Sequence, residues 1–254
     1  MLELRAIHKH FGGLHAVDGV SFSVPQGAIK AVIGPNGAGK TTLFNLIAGV
    51  LPPTSGSIAF KGRQIQGLKP HRIAGLGMSR TFQNIKLCHG MTALENVMLG
   101  RHIRSSAGLL AGMLNLPRTW KEENEIRRRA LELLELLGIG EFAEVEATSL
   151  AFGQQRAVEM ARALATEPEL LLLDEPAAGL NIYETAEVAR LITRIRDMGI
   201  TVLLVEHDMS LVMDISDEIV VLSFGAKIAE DRPEAIQQNP EVIRIYLGET
   251  EEAA

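Results

Sequence analysis

The segment Gly34-Pro35-Asn36-Gly37-Ala38-Gly39-Lys40-Thr41-Thr42 fits the pattern G-x-x-x-x-G-K-[ST] and constrains the fold more than any other part of the chain. It stands between Ala28–Ile33, a short run rich in β-branched residues, and a stretch from Gly39 to Ala48 with one apolar face that Gly49 stops. Strand, glycine loop and helix in this order make a polyphosphate cradle. Glycines let successive backbone N–H groups curl around phosphate oxygens, and the helix start adds the positive end of its dipole. Lys40 is expected to neutralise the outer phosphates, and Thr41 to offer a hydroxyl to magnesium.

A phosphate loop is common to kinases, switch GTPases and ATPases, so a second acidic site has to separate them. Leu170–Leu173 followed by Asp174 and Glu175 reads as a buried strand ending in two carboxylates. Asp174 suits the magnesium shell, which leaves Glu175 to orient and deprotonate a water in line with the terminal phosphate. This favours hydrolysis over transfer to a bound acceptor. The Asn-Lys-x-Asp segment with which GTPases read guanine does not occur in the sequence.

From Leu2 to Val24 apolar and polar residues alternate around the turn Gly12-Gly13, which predicts an N-terminal antiparallel strand pair. Apolar runs at Leu170–Leu173, Ile200–Val205 and Glu218–Leu222 are separated by helical patterns, the alternation of a parallel sheet with helices on its faces. The class is α/β. From Leu94 to about Ala165 the periodicity is helical throughout, so an α-helical subdomain is expected within the α/β body. There Ile126, Ala130, Leu133, Leu134 and Leu137 share one face, opposite Glu122, Glu125, Arg128 and Glu132. The triplet Arg127-Arg128-Arg129 reads as a solvated face paired with nearby glutamates. Within a single domain over 1–254, the core spans approximately 1–90 and 166–254, and the insert approximately 91–165.

With 25 Lys and Arg against 31 Asp and Glu, the net charge of −6 argues against a surface that binds nucleic acid by neutralising phosphates. The sole cysteine, Cys88, excludes an internal disulfide and a thiolate zinc site, and fits the cytoplasm. His8, His10 and His15 lie in a strand-and-turn stretch with no acidic or cysteine ligand evident nearby, which argues against a metal site there. The charged opening Met1-Leu2-Glu3-Leu4-Arg5 does not read as a leader. The longest weakly polar stretch, Ala107–Leu116, is ten residues, against about 20 for a membrane span. Any membrane role must come through a partner.

Between the phosphate loop and the acidic site lies Leu150-Ala151-Phe152-Gly153-Gln154-Gln155-Arg156, which resembles the Leu-Ser-Gly-Gly-Gln signature of the ABC ATPases. Gln83 in Arg80-Thr-Phe-Gln83 is similar to that family's Q-loop, Ala178-Gly-Leu-Asn181 to its D-loop, and His207 in Val205-Glu-His-Asp208 to its switch histidine. All the motifs occur in family order. Phe11 precedes Lys40 by about the interval at which the family places an aromatic against adenine, with Val17 nearby as an apolar floor. The signature departs from consensus: Ala151 stands where a serine usually offers its hydroxyl, and Phe152 replaces a glycine. Leu-Ala-aromatic-Gly-Gln-Gln-Arg resembles the LivG-like ATPases of branched-chain amino-acid importers, as do Gly77–Gln83, Asp174–Asn181 and the ending Asn239–Gly248.

The resemblance implies an ABC ATPase fold and a head-to-tail dimer in which the phosphate loop of one subunit and Leu150, Ala151, Phe152, Gly153 and Gln154 of the other enclose each ATP. It implies Thr41, Gln83 and Asp174 around magnesium, Glu175 as base, His207 as a linchpin at the terminal phosphate, and Lys40 as charge stabiliser. It further implies a second ATPase subunit, identical or related, and a membrane permease whose short helix docks between Gln83 and about Gly100. A solute-binding protein acts indirectly, and the place of action is the cytoplasmic face of the membrane. Importers of urea or short amides and lipid exporters share nearly every motif. A soluble ABC ATPase of DNA repair or translation is the reading from another class, although the stretch between Gln83 and Leu150 is too short for a long coiled coil and there is a single phosphate loop.

Overall fold

The computed structural model describes residues 1–81, 85–101 and 117–247; Gln83, the stretch 107–116 and the segment 248–254 lie outside them. In chain order the elements are β1 (Leu2–Phe11), β2 (Leu14–Val24), β3 (Ile29–Ile33), α1 (Lys40–Ile47), β4 (Ser55–Phe60), β5 (Arg63–Gln64), α2 (Pro70–Gly75), β6 (Met78–Arg80), α3 (Ala93–Arg101), α4 (Pro117–Leu136), α5 (Phe152–Leu164), β7 (Leu170–Asp174), α6 (Ile182–Asp197), β8 (Thr201–Val205), α7 (Met209–Ile215), β9 (Glu218–Ser223), β10 (Ala226–Asp231), α8 (Pro233–Gln238) and α9 (Pro240–Leu247). They divide into two compact units, Met1–Ile73 with Leu172–Ala254, and Ala74–Leu171.

In the first unit β1 and β2 pair antiparallel across the Gly12-Gly13 turn, with Phe11 opposite Leu14 and Leu2 opposite Val24. On its other side β1 pairs antiparallel with β4, giving the order β2–β1–β4–β5. The second sheet of this unit contains β10–β9–β3–β8–β7 in that order, with β3 parallel to both neighbours, β8 and β9. Every position of β3, β7 and β8 is buried, which is why these strands read as mainly apolar runs. The phosphate loop, Glu175 and His207 directly follow the C-terminal ends of β3, β7 and β8, successive members β3–β8–β7 of that sheet. Ligands of open α/β sheets gather at such ends.

One residue breaks the apolar run of β3. Lys30 is 1% exposed, and its ammonium donates to the Ser23 carbonyl at 2.5 Å and to Glu230 Oε1 at 2.5 Å, with Glu218 Oε2 at 2.8 Å. Burial pushes the Glu230 carboxyl up, but hydrogen bonds from Lys227 and Lys30 more than offset this and hold it below the usual glutamate range. The stability it contributes is therefore complete above that range and is lost as pH falls through the lowered value. Removing it leaves a buried ammonium short of a partner. Glu230→Ala is expected to cost about 2–3 kcal/mol at neutral pH, read as a lower urea midpoint with an unchanged slope. The same loss at pH 3 as at pH 7 would contradict the ion-pair origin.

In the second unit α3, α4 and α5 pack together, with Ile126, Ala130, Leu133 and Leu134 of α4 buried. Leu137, expected on the same face, is only partly buried, because α4 ends at Leu136 and the chain turns through Gly138. The arginine triplet is neutralised locally: Arg127 pairs with Glu144 at 2.5 Å, Arg128 with Glu125 and Glu132, and Arg129 with Glu132 at 2.8 Å. Such exposed pairs keep the face soluble and add little stability.

Candidate functional site

Lys40 opens α1 and is nearly buried, with its ammonium donating to the carbonyls of Gly34 at 2.6 Å and Pro35 at 2.9 Å on the concave side of the loop. Gly39, immediately before it, has φ +98°, and a Cβ there would overlap the Ala16 carbonyl oxygen on β2. The turn between β9 and β10 holds the loop from outside. Gly225 donates its N–H to the Ala38 carbonyl at 3.1 Å and accepts from Asp18 at 2.8 Å. Asn36, Gly37 and Thr41 are exposed, Pro35, Gly39 and Thr42 are half-buried, and Gly34 and Ala38 are buried. A fixed, curled backbone ahead of a helix start, with one cation at its centre, is an anion cradle. Burial pulls the Lys40 ammonium below the ordinary lysine range, and the nearby Glu175 charge pulls it part of the way back.

Asp174 is buried at the end of β7, and the next residue, Glu175, takes φ +50°, a region few side chains adopt. Its N–H donates to Val205 at the end of β8 at 2.9 Å, which fastens the two strand ends together. The strained turn aims the carboxylate at His207: Glu175 Oε1 lies 3.1 Å from His207 Nε2. The Glu175 side chain is 13% exposed and the imidazole 41%, so the pair faces solvent from a partly dry floor. An acid and an imidazole in contact can share and move one proton.

Glu206 is a residue to which the sequence motifs give no role. It is buried, and its carboxylate accepts from the N–H groups of Ala177 at 2.7 Å, His207 at 2.8 Å and Asp208 at 3.3 Å. It thereby fixes the turn after Glu175 to the turn that carries His207. Its signal in the sequence is an acid directly after the apolar run Thr201–Val205. Beyond these turns, Asn181 accepts from Tyr183 and Glu184 N–H and Glu184 accepts from Asn181 N–H, a complete capping box that starts α6.

In the second unit Leu150 is buried, Ala151 and Phe152 are exposed, and Gly153 and Gln154 are half-buried at the start of α5. Gln154 Oε1 accepts from the Ala151 N–H at 3.0 Å, but the Ala151 methyl cannot return the bond, so only half of a capping box exists. The α5 start is left as an N-terminal anion site without a serine hydroxyl. The Phe152 ring is covered by the guanidinium of Arg156 at 5.6 Å. In the first unit, Phe11 is 46% exposed with Lys9 Nζ 5.1 Å from its ring, whereas Val17 is fully buried and belongs to the core under the hairpin. Gln83 lies outside the described residues.

Residues 17–178 match the family model described as ABC transporter, and residues 226–252 match one described as branched-chain amino acid ATP-binding cassette transporter. The high-affinity branched-chain amino acid transport ATP-binding protein BraF of Pseudomonas aeruginosa is 48% identical over 250 residues, 98% of each chain. A solved ATP-binding cassette of an ABC transporter in its ADP conformation superposes with a TM-score of 0.84 at 34% identity, over 98% of each chain. A dimeric cassette in a post-hydrolysis state with ADP and Pi superposes with a TM-score of 0.78 at 26% identity, over 92% of this chain and 99% of that one.

Proposed function

Because the chain belongs to the ABC transporter family of ATP-binding cassettes, we propose that it is the subunit whose ATP hydrolysis drives a membrane importer of branched-chain amino acids. The observation that carries the cargo is the match of residues 226–252, a segment outside all the nucleotide motifs, to the branched-chain family. No described helix is long and apolar enough to cross a membrane, so attachment falls to permease subunits on other chains. We place it on the cytoplasmic face, with a second cassette beside it and a solute-binding protein acting through the permease. The segment from Gln83 to about Gly100 receives the permease helix.

The geometry supports the following roles, except that of Gln83, which rests on its sequence motif. The loop 34–42 holds the ATP phosphates, Lys40 stabilises charge on the terminal one, and Phe11 offers its exposed ring to the base. Thr41, Asp174 and Gln83 would hold magnesium, which would supply charge neutralisation for the phosphates; a hydroxyl beside the loop and a buried carboxylate at the strand end fit that hard cation. Glu175 takes a proton from the attacking water, and His207, 3.1 Å away, orients the carboxylate and contacts the terminal phosphate. Leu150–Gln154 of a second cassette completes each site through the N–H groups at the start of α5. Binding energy for ATP is thereby converted into closure of the dimer and a pull on the permease.

Bound phosphate favours the charged form of Lys40, whose free ammonium titrates below the ordinary lysine range because it is buried. Nucleotide binding is therefore expected to take up protons at alkaline pH, and affinity to fall as pH rises through the lowered value. Calorimetry in two buffers of different ionisation enthalpy checks this: uptake at pH 9 should exceed that at pH 7, and equal uptake would contradict it. The transport reading is tested by deleting the gene and assaying uptake. Loss of leucine, isoleucine and valine uptake supports it, whereas loss of urea uptake alone moves the cargo to short amides. Intact transport with retained ATPase activity in the purified chain would favour a soluble ABC ATPase.

A further inference from the structure

The β1–β2 hairpin carries a cluster that the proposed mechanism does not use. Strand alternation puts His8 and His10 on one face, and the register pairs His10 with His15. Register shifts on either side of Lys9 bring Asp18 level with His8, so that its Oδ1 lies 2.9 Å from His8 Nδ1. This corrects the expectation that no acidic ligand is near these histidines. The His15 ring stacks on His10 with centroids 3.9 Å apart and planes inclined at 18°. His10 Nε2 is buried without a hydrogen-bond partner. One donor atom each from His8, His10 and Asp18 lie within 4.8 Å of one another.

We propose that His8, His10 and Asp18 form a binding site for a divalent transition metal of the zinc class. Two imidazoles and one carboxylate are a nitrogen-rich donor set that suits zinc and its first-row neighbours better than magnesium or calcium, which take oxygen. Three protein ligands leave one position for water. Zinc ligands stand about 2.0–2.2 Å from the ion, so the donor atoms must draw closer by small side-chain rotations while the paired strands hold the backbone. The stacked His15 restrains the His10 ring, and its Nδ1 lies 4.0 Å from Asp18 Oδ2, a contact that orients the carboxylate from outside. A buried ring nitrogen with no protein partner carries an unrecovered desolvation cost, which coordination at the ring offsets.

The test is a zinc titration of the full chain without nucleotide, against a chromophoric chelator. The wild type should bind one equivalent, with a rise in thermal midpoint. His10→Gln and Asp18→Ala should each weaken binding about ten-fold or more and abolish the thermal shift, while their metal-free midpoints stay near wild type. His207→Ala removes an imidazole–carboxylate contact away from the hairpin, at Glu175, and should leave zinc binding unchanged. Binding that survives both hairpin substitutions, or that disappears in His207→Ala, would place the ion elsewhere and overturn the proposal. Failure of the wild type to compete with the chelator would overturn it outright. None of these outcomes depends on ATP hydrolysis, so the site stands or falls separately from the transport reading.

Discussion

Glu175→Gln is expected to lower ATP turnover by about 10²–10⁴-fold while leaving ATP bound. The amide keeps the size of the carboxylate and can still meet His207 Nε2, now 3.1 Å from Glu175 Oε1, so the floor of the site stays in place. What it cannot do is accept a proton from the attacking water. The phosphate loop, Lys40 and Asp174 are untouched, and binding energy that hydrolysis would dissipate accumulates in the ATP-bound state. With magnesium and ATP the variant should therefore run as a dimer in size-exclusion chromatography with light scattering, and as a monomer with ADP. A monomer with ATP would sink the two-subunit site. Turnover within ten-fold of wild type would instead remove Glu175 as the base and leave the dimer question open to the same chromatographic readout.

The parts of the molecule legible in its sequence are those whose signal is local. The hairpin of β1 and β2 is readable because alternation on both sides of Gly12-Gly13 encodes both strands and their turn within one contiguous stretch, Leu2–Val24. β3, β7 and β8 are readable because burial on both faces demands apolar runs, and the phosphate loop because its residues are contiguous. β4 and β10 carry no such signal. Ser55–Phe60 is a strand because β1, from a distant part of the chain, accepts it as a neighbour, and Ala226–Asp231 is a half-exposed edge whose pattern suits a turn as well as a strand. The same division holds at the side-chain level. Asp174, Glu175 and His207 follow readable strands, but that β7 and β8 bring the last two into contact is a fact of sheet order. Lys30 owes its partners, Glu218 and Glu230, to pairings with the far end of the chain, and Asp18 reaches His8 only through irregularities of register that no alternation rule foresees.

Gly39→Ala is the substitution in which such a distant contact should have the largest effect on the site. Two costs fall on one methyl group. With φ at +98° an alanine is strained by about 1–3 kcal/mol, and its Cβ would overlap a backbone oxygen, that of Ala16, whose neighbours His15 and Val17 are both paired to β1. The loop must therefore shift instead, and because α1 begins at the next residue, the N–H groups of the helix start and the Lys40 ammonium shift with it. Nucleotide affinity is expected to fall by about 100-fold or more, equivalent to about 2.7 kcal/mol, with a lower melting temperature in the absence of nucleotide. Gly37→Ala separates the two costs. Its φ is +79°, but a Cβ there meets no atom within 4 Å, so strain acts without collision and the loss should stay within about ten-fold. Isothermal titration of both variants with ATP decides the matter. Equal losses would mean that backbone strain alone governs the cradle, whereas a ten-fold gap makes the packing of the loop against Ala16 the feature that holds its N–H groups on the phosphates.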